Sequence, residues 1–299
     1  MGLFLRPLFL QFLISATFFF SSLCFADEAM FGYLYTTDTL PQGHWEYEQV
    51  NTLRTGKAQG NYLSFDLRNE IEYGITNEFT GSVYVNSSYI FTDNVYNPEM
   101  VSMNLPNQNG YNVNGVSFEF KYRVLSPYLD PIGLMFYAEP EISTRDAMTG
   151  LDVIERAVEF RIIAQENFFD DLLITSANIM AEPEWEFEDG MASKELWMEF
   201  TTGATYRVHP NWWAGLEIRN HREFTDMDFG NQEHSAFFLG PNVHYGTQKW
   251  WATLTILPQI FGEPRILGIG ANGSVIQDPN LHLGQHEKLE ARLKFGVNI

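Results

Sequence analysis

The carboxy-terminal stretch Leu289-Glu290-Ala291-Arg292-Leu293-Lys294-Phe295-Gly296-Val297-Asn298-Ile299 alternates without a break between apolar residues and charged, polar or small ones. Successive side chains of a strand point to opposite faces, so this is a strand with one greasy face and one ionic face. A soluble sheet can carry such a pattern. A closed barrel in a bacterial outer membrane requires it, because lipid lies on one side and a polar lumen on the other.

The remainder of the chain repeats the scheme. Strands are expected at about 44–54, 62–74, 79–90, 116–125, 132–143, 153–166, 172–185, 195–208, 212–223, 234–246 and 250–260, with the terminal strand as the twelfth. In the fourth, Val116, Phe118, Phe120, Tyr122 and Val124 alternate with Ser117, Glu119, Lys121 and Arg123. Connections after even-numbered strands are expected to be short and those after strands three, five, seven, nine and eleven longer, which is the outer-membrane pattern. Aromatic doublets at Phe168-Phe169, Trp212-Trp213 and Trp250-Trp251 flank short turns, as an interfacial girdle would. Hydrocarbon cannot hydrate an unpaired strand edge, so such a sheet must close on itself. The fold class is therefore an all-β transmembrane antiparallel barrel of about twelve strands, with ten or fourteen as alternatives. The tetrad Ala-Glu-Pro-Glu occurs at 138–141 and again at 181–184. Pro140 and Pro183 cannot donate to a ladder, so bulges or frayed ends are expected there.

Ahead of the barrel, Met1 to Ala26 has one basic residue, a short apolar run and a small residue at its end. This is the pattern of a secretory signal peptide cut after Ala26. Residues 27–42 are expected as a periplasmic lead-in, in which Phe31, Tyr33 and Tyr35 alternate, and residues 43–299 as the barrel. The single cysteine, Cys24, falls in the leader, so neither a disulfide framework nor thiol chemistry is expected of the remainder. A net charge of −20 argues against nucleic acid as a partner. The expected partners are outer-membrane lipids, the barrel-assembly machinery and small solutes, with no cofactor implied and oligomeric state open.

By parity the inward face carries Asp66, Arg68, Glu70, Glu119, Lys121, Arg123, Glu159, Arg161, Glu199, Arg207, Glu217, Arg219, Glu290 and Arg292. Two readings are open. These groups either knit a hydrogen-bonded filling for a narrow lumen, or line a watery path whose acidic excess selects cations. Glu139, Glu141, Glu182 and Glu184 are candidates for an outer-rim site for a hard cation. His221, Glu223 and His234 are candidates for acid–base or metal chemistry, if strands nine and ten pair symmetrically. Bracing of a loop base is the plainer role for that trio, and Ser235 beside His234 would point the other way.

Several stretches resemble a family of proteobacterial outer-membrane β-barrel proteins of unknown function. They are Thr39-Leu40-Pro41-Gln42-Gly43-His44-Trp45-Glu46, Glu72-Tyr73-Gly74-Ile75-Thr76-Asn77, Tyr137-Ala138-Glu139-Pro140-Glu141, Gly215-Leu216-Glu217-Ile218-Arg219-Asn220-His221, and Phe238-Leu239-Gly240-Pro241 through Trp250-Trp251-Ala252-Thr253-Leu254. The resemblance implies the barrel and its location and assigns no catalytic residue. The leading functional expectation is a passive channel or transporter for small solutes, cations among them. The alternatives are a lipid-acting hydrolase at the extracellular rim, and a structural or adhesive barrel acting through loops 91–115 and 261–285.

Overall fold

Alternation with a period of two obliges each strand to show one face to each side, and adjacent antiparallel strands follow from the short turns between them. The computed structural model describes residues 28–95, 105–146, 149–188, 190–264, 268–269, 275–276 and 280–299. Within these the chain folds as a closed twelve-stranded antiparallel barrel. Its strands are β1 (Trp45–Thr55), β2 (Asn61–Gly74), β3 (Phe79–Asp93), β4 (Gln108–Leu125), β5 (Gly133–Arg145), β6 (Asp152–Phe168), β7 (Leu173–Glu188), β8 (Met191–His209), β9 (Trp212–Thr225), β10 (Gln232–Gly246) and β11 (Trp250–Glu263). A separate pair of two-residue strands, β12 (Gly268–Ile269) and β13 (Val275–Ile276), precedes the last barrel strand, β14 (Leu289–Asn298). The ring closes through β1, which pairs with β2 on one side and with β14 on the other, from Glu46 opposite Asn298 to Thr55 opposite Leu289.

The two faces are as unlike as the sequence requires. On β4, Phe118 is 46 % exposed on the outside while Glu119 is 1 % exposed within. On β14, Leu293 is 44 % exposed and Glu290 2 %. Aromatic rings outside the short turns touch in series: Trp212 to Tyr245 at 4.8 Å, Tyr245 to Trp250 at 5.0 Å, and Trp250 to Phe295 at 6.0 Å.

Four expectations need correction. First, the two tryptophan doublets split, whereas Phe168 and Phe169 are both exposed. Trp212 and Trp250 face outward, but Trp213 and Trp251 are buried inside, as a period of two demands of adjacent residues. The Trp251 indole N–H donates to Glu46 at 3.1 Å, and its ring lies where a Cβ on Gly296 would stand. Second, several strands run further than their apolar residues do. β4 begins at Gln108, and β7 and β8 approach so closely that residues 189–190 alone separate them, so the connection after strand seven is short. Backbone pairing continues past the apolar band, where polar residues suffice on both faces. Third, the prolines cause neither bulge nor fraying. Between Ser117–Glu141 and Phe120–Ala138 on β4 and β5, and between Ala157–Glu184 and Phe160–Ala181 on β6 and β7, the ladder is interrupted and then resumes in the same register.

The fourth correction concerns the lead-in. Residues 28–42 do not extend away as an arm; they thread the barrel interior. Glu28 lies 2.9 Å from His244 of β10, near one short turn. The chain then rises into the lumen, where Asn178 of β7 accepts from the Tyr35 N–H at 2.7 Å. It descends past Gln165 of β6, which accepts from the Thr37 N–H, to Thr80 of β3, which accepts from the Leu40 N–H. The segment buries Phe31, Tyr33, Leu34 and Leu40 inside the barrel. Phe31 and Leu34 pack with Trp213 and Ile174, and Tyr33 packs with Ala236, Phe238 and Leu257. A fully buried side chain of this size contributes about 1.5–3 kcal/mol, which favours docking over release. The signal-peptide reading (residues 1–26) lies outside the described residues, as do parts of both long loops.

Candidate functional site

The lumen is organised in three levels. At the short-turn half stands the plug of residues 28–42. Its keystone is Glu217 of β9, whose carboxylate accepts from three consecutive backbone N–H groups: Gly32 at 2.8 Å, Tyr33 at 2.9 Å and Leu34 at 3.3 Å. The Thr255 hydroxyl of β11 donates to the same carboxylate at 2.5 Å. Gly32 is needed for this approach, since a Cβ there would sit 2.7 Å from Thr255.

At mid-depth the inward charges pair with one another. Arg219 bonds Glu199 and takes both oxygens of Glu290, at 2.9 and 2.8 Å. Arg161 joins Glu159 to Glu199. Arg68 meets Glu139, which also accepts from the Tyr137 hydroxyl. Lys121 lies 2.7 Å from Glu72 and 3.3 Å from Glu119, and Lys294 lies 3.4 Å from Glu48. Arg54 pairs with Asp66. The Tyr33 ring sits between two guanidiniums, 5.1 Å from that of Arg219 and 3.9 Å from that of Arg292. Arg123 and Arg207 lie toward the short turns, where Arg123 donates to the Asn77 carbonyl and Arg207 covers Trp213. Glu46, Glu70, Glu119, Glu199, Glu217 and Glu290 are all nearly inaccessible. Of the two readings of the inward face, the hydrogen-bonded filling describes this conformation.

The outer half is shaped by residues 280–288, which fold back into the lumen before β14. Gln259 of β11 holds them: its amide donates to the carbonyls of His282 and Glu287 at 2.9 and 3.1 Å and accepts from the His282 N–H at 2.7 Å. Lys57 clasps the same segment, 2.9 Å from Glu287 and donating to the Gln285 carbonyl at 2.6 Å. His282 and His286 thereby reach His221 and His234, which lie on the paired strands β9 and β10. Ring centroids are 4.8 Å apart for His234 and His286, 4.9 Å for His234 and His282, 5.1 Å for His221 and His286, and 5.6 Å for His282 and His286. His234 Nε2 lies 2.7 Å from Glu223, whose backbone it faces across the ladder, and His234 Nδ1 lies 3.1 Å from His286 Nε2. Burial and the surrounding imidazoles hold His286 well below the ordinary histidine range, so it is neutral at physiological pH. Trp197 stacks on His221 at 4.7 Å.

Above this cluster opens a vestibule of about 210 Å³, lined among others by Asp146, Glu184, Glu186, Glu195, Glu223 and Glu233. No lysine or arginine is among the described residues that line it. Glu223 belongs to both vestibule and histidine cluster.

The candidates read from sequence are thus distributed as follows. His221, Glu223 and His234 meet, as symmetric pairing of strands nine and ten implies. The four rim carboxylates do not meet as a set: Glu184 lines the vestibule, Glu139 is held lower by Arg68 and Tyr137, and Glu141 accepts from Asn86 and Ser143. Glu182 faces Trp197 across the ladder. Carboxylates of Glu70, Glu72 and Glu119 approach within 4.8 Å of one another instead, with Lys121 as their counter-ion. Sequence reasoning missed His282, His286, Lys57 and Glu287, because loop residues carry no periodicity that would place them. It also missed the seat of the plug, although inward apolar residues such as Met135, Ile163, Phe238 and Leu257 interrupt an otherwise polar face and mark it.

Three solved structures align with the chain. An outer-membrane channel from Pseudomonas putida F1 aligns with TM-score 0.53 at 10 % identity, over 92 % of this chain and all of its own. The NanC porin aligns with TM-score 0.48 at 12 % identity, over 85 % of this chain and 98 % of its own. LpxR from Salmonella typhimurium aligns with TM-score 0.46 at 6 % identity, over 84 % of this chain and 99 % of its own. At 10 % identity the likeness to the Pseudomonas putida channel is one of fold. No curated protein matches the chain in sequence. A family model does match, over residues 23–299, and the chain belongs to that family, DUF6662, a family of unknown function.

Proposed function

We propose that this protein is an integral outer-membrane barrel that conducts small cations, and that residues 28–42 are its gate. The observation that carries the reading is that the short-turn half of the lumen is filled by a segment outside the ladder. Such a segment can leave while the wall stays intact. Its anchors are side-chain bonds to Glu217, Asn178, Gln165 and Thr80, none of which belongs to the barrel's own hydrogen bonding. The sign of the selectivity follows from the wall and vestibule, where carboxylates outnumber cationic groups and leave an attractive field for positive ions. Fold resemblance to an outer-membrane channel supports the class of protein and not the solute.

Planar-bilayer recording of the full chain and of a variant lacking residues 28–42 tests this. The full chain is expected to be mostly closed, and the shortened chain to conduct with potassium preferred over chloride. Silence of both, or a preference for chloride, would overturn the reading.

A further inference from the structure

Four of the chain's seven histidines meet at the floor of the acidic vestibule, and the groups around them dictate where their protons sit. A carboxylate accepts, so in its neutral form His234 carries its proton on the Nε2 that faces Glu223, and its Nδ1 then presents a lone pair. This is the arrangement of a histidine ligand whose far nitrogen is oriented by a carboxylate. The Pro264 carbonyl, 2.6 Å from His282 Nδ1, likewise places that ring's proton on Nδ1. His286 Nε2 stands 3.1 Å from the His234 lone pair and donates to it, so coordination by His286 moves that proton to its Nδ1, the other tautomer of the neutral ring. Two imidazole nitrogens bonded at about 2.0–2.1 Å to one tetrahedral ion stand about 3.4 Å apart, so little movement separates this pair from joint coordination. His221 adds an independent sign. It is 6 % exposed, and its Nδ1 is buried without a hydrogen-bond partner among the described residues. Burying a polar nitrogen without a partner is unfavourable, a deficit that a ligand would remove.

We infer that His221, His234 and His286 bind a divalent first-row transition-metal ion, with Glu223 as the positioning residue for His234. Imidazole nitrogen selects zinc, copper or nickel over calcium and magnesium, which prefer all-oxygen sites. His234 and, in its other tautomer, His286 supply two nitrogens, and His221, whose ring lies 5.1 Å from that of His286, supplies the third. The vestibule concentrates cations above the site, and Glu223 belongs to both. Glu70, Glu72 and Glu119 offer oxygen ligands alone, and Lys121 already pairs with Glu72 and Glu119, so that cluster does not compete for an imidazole-seeking ion. The inference rests on the cation-conduit reading and names the class of cation.

The test uses the untagged full chain folded in detergent, with zinc and copper ions as probes. Zinc titration calorimetry is expected to show one ion per chain that excess magnesium does not displace. The copper(II) form is expected to show imidazole nitrogen couplings in its electron paramagnetic resonance spectrum. His234→Ala and His286→Ala each lower affinity at least about 100-fold, and Glu223→Gln about 10–100-fold. Variants are compared only where gel migration before and after boiling shows a folded barrel. Absence of nitrogen couplings in the unaltered chain overturns the inference whatever the variants do, as does zinc affinity unmoved by both histidine changes. The two proposals fail separately: potassium current without zinc binding removes the metal site alone, and zinc binding without current removes the conduit alone.

Discussion

Replacing Glu217 with alanine removes the keystone of the plug. The carboxylate is 1 % exposed and accepts two short backbone bonds, from Gly32 at 2.8 Å and Tyr33 at 2.9 Å, besides the longer one from Leu34. A hydrogen bond to a charged group contributes about 1.5–3 kcal/mol, so the two short bonds together hold the segment by about 3–6 kcal/mol. Relief of the cost of burying one carboxylate offsets part of this, which leaves about 3 kcal/mol as the expected loss. At about 1.4 kcal/mol per decade, the population with residues 28–42 detached rises about 100-fold. The assay is thiol labelling at position 34. The sole native cysteine, Cys24, precedes the expected cleavage point, so Leu34→Cys introduces a single reporter where the native side chain is 2 % exposed. Labelling is expected to be slow in the parent and about 100-fold faster with Glu217→Ala, while the barrel itself stays folded. Equal rates in the two backgrounds, or rapid labelling in the parent, would refute the assignment of Glu217 as anchor.

Further outcomes follow from the same contacts. Arg219→Met strips counter-charge from Glu199 and Glu290, both buried, and should destabilise the barrel by about 3–5 kcal/mol, read as a lower urea midpoint in micelles. Phe118→Arg places a charge on the outer face and should cost about 2–4 kcal/mol in folding into lipid vesicles, whereas a water-facing strand would tolerate it. Gly296→Ala sets a Cβ 2.3 Å from the Trp251 ring and should lower stability by about 1–3 kcal/mol, with the change visible in Trp251 fluorescence.

Much of this molecule is legible from its alternation. Strand parity separates Phe118 from Glu119 and Leu293 from Lys294 correctly, because every second residue of a barrel wall meets a different solvent. The same rule, applied within the doublets, places Trp213 and Trp251 inside, where the girdle reading had put them outside. Parity also brings His221, Glu223 and His234 together, since strand pairing fixes register. It has no purchase on residues 28–42 or 280–288, which lie outside the ladder and are held by single side chains such as Glu217 and Gln259. These segments fill the lumen in this structure, so the state of the lumen is the least legible part of the sequence.

The central claim is that alternate residues of each strand meet hydrocarbon while their neighbours meet a filled interior. Spin labels placed singly at positions 289 to 299 in lipid bilayers, with oxygen accessibility measured by power saturation, test it most directly. Accessibility should rise at 291, 293 and 295 and fall at 290, 292 and 294, in step with the outward and inward sides of β14. A flat profile, or maxima at the charged positions, would contradict the account.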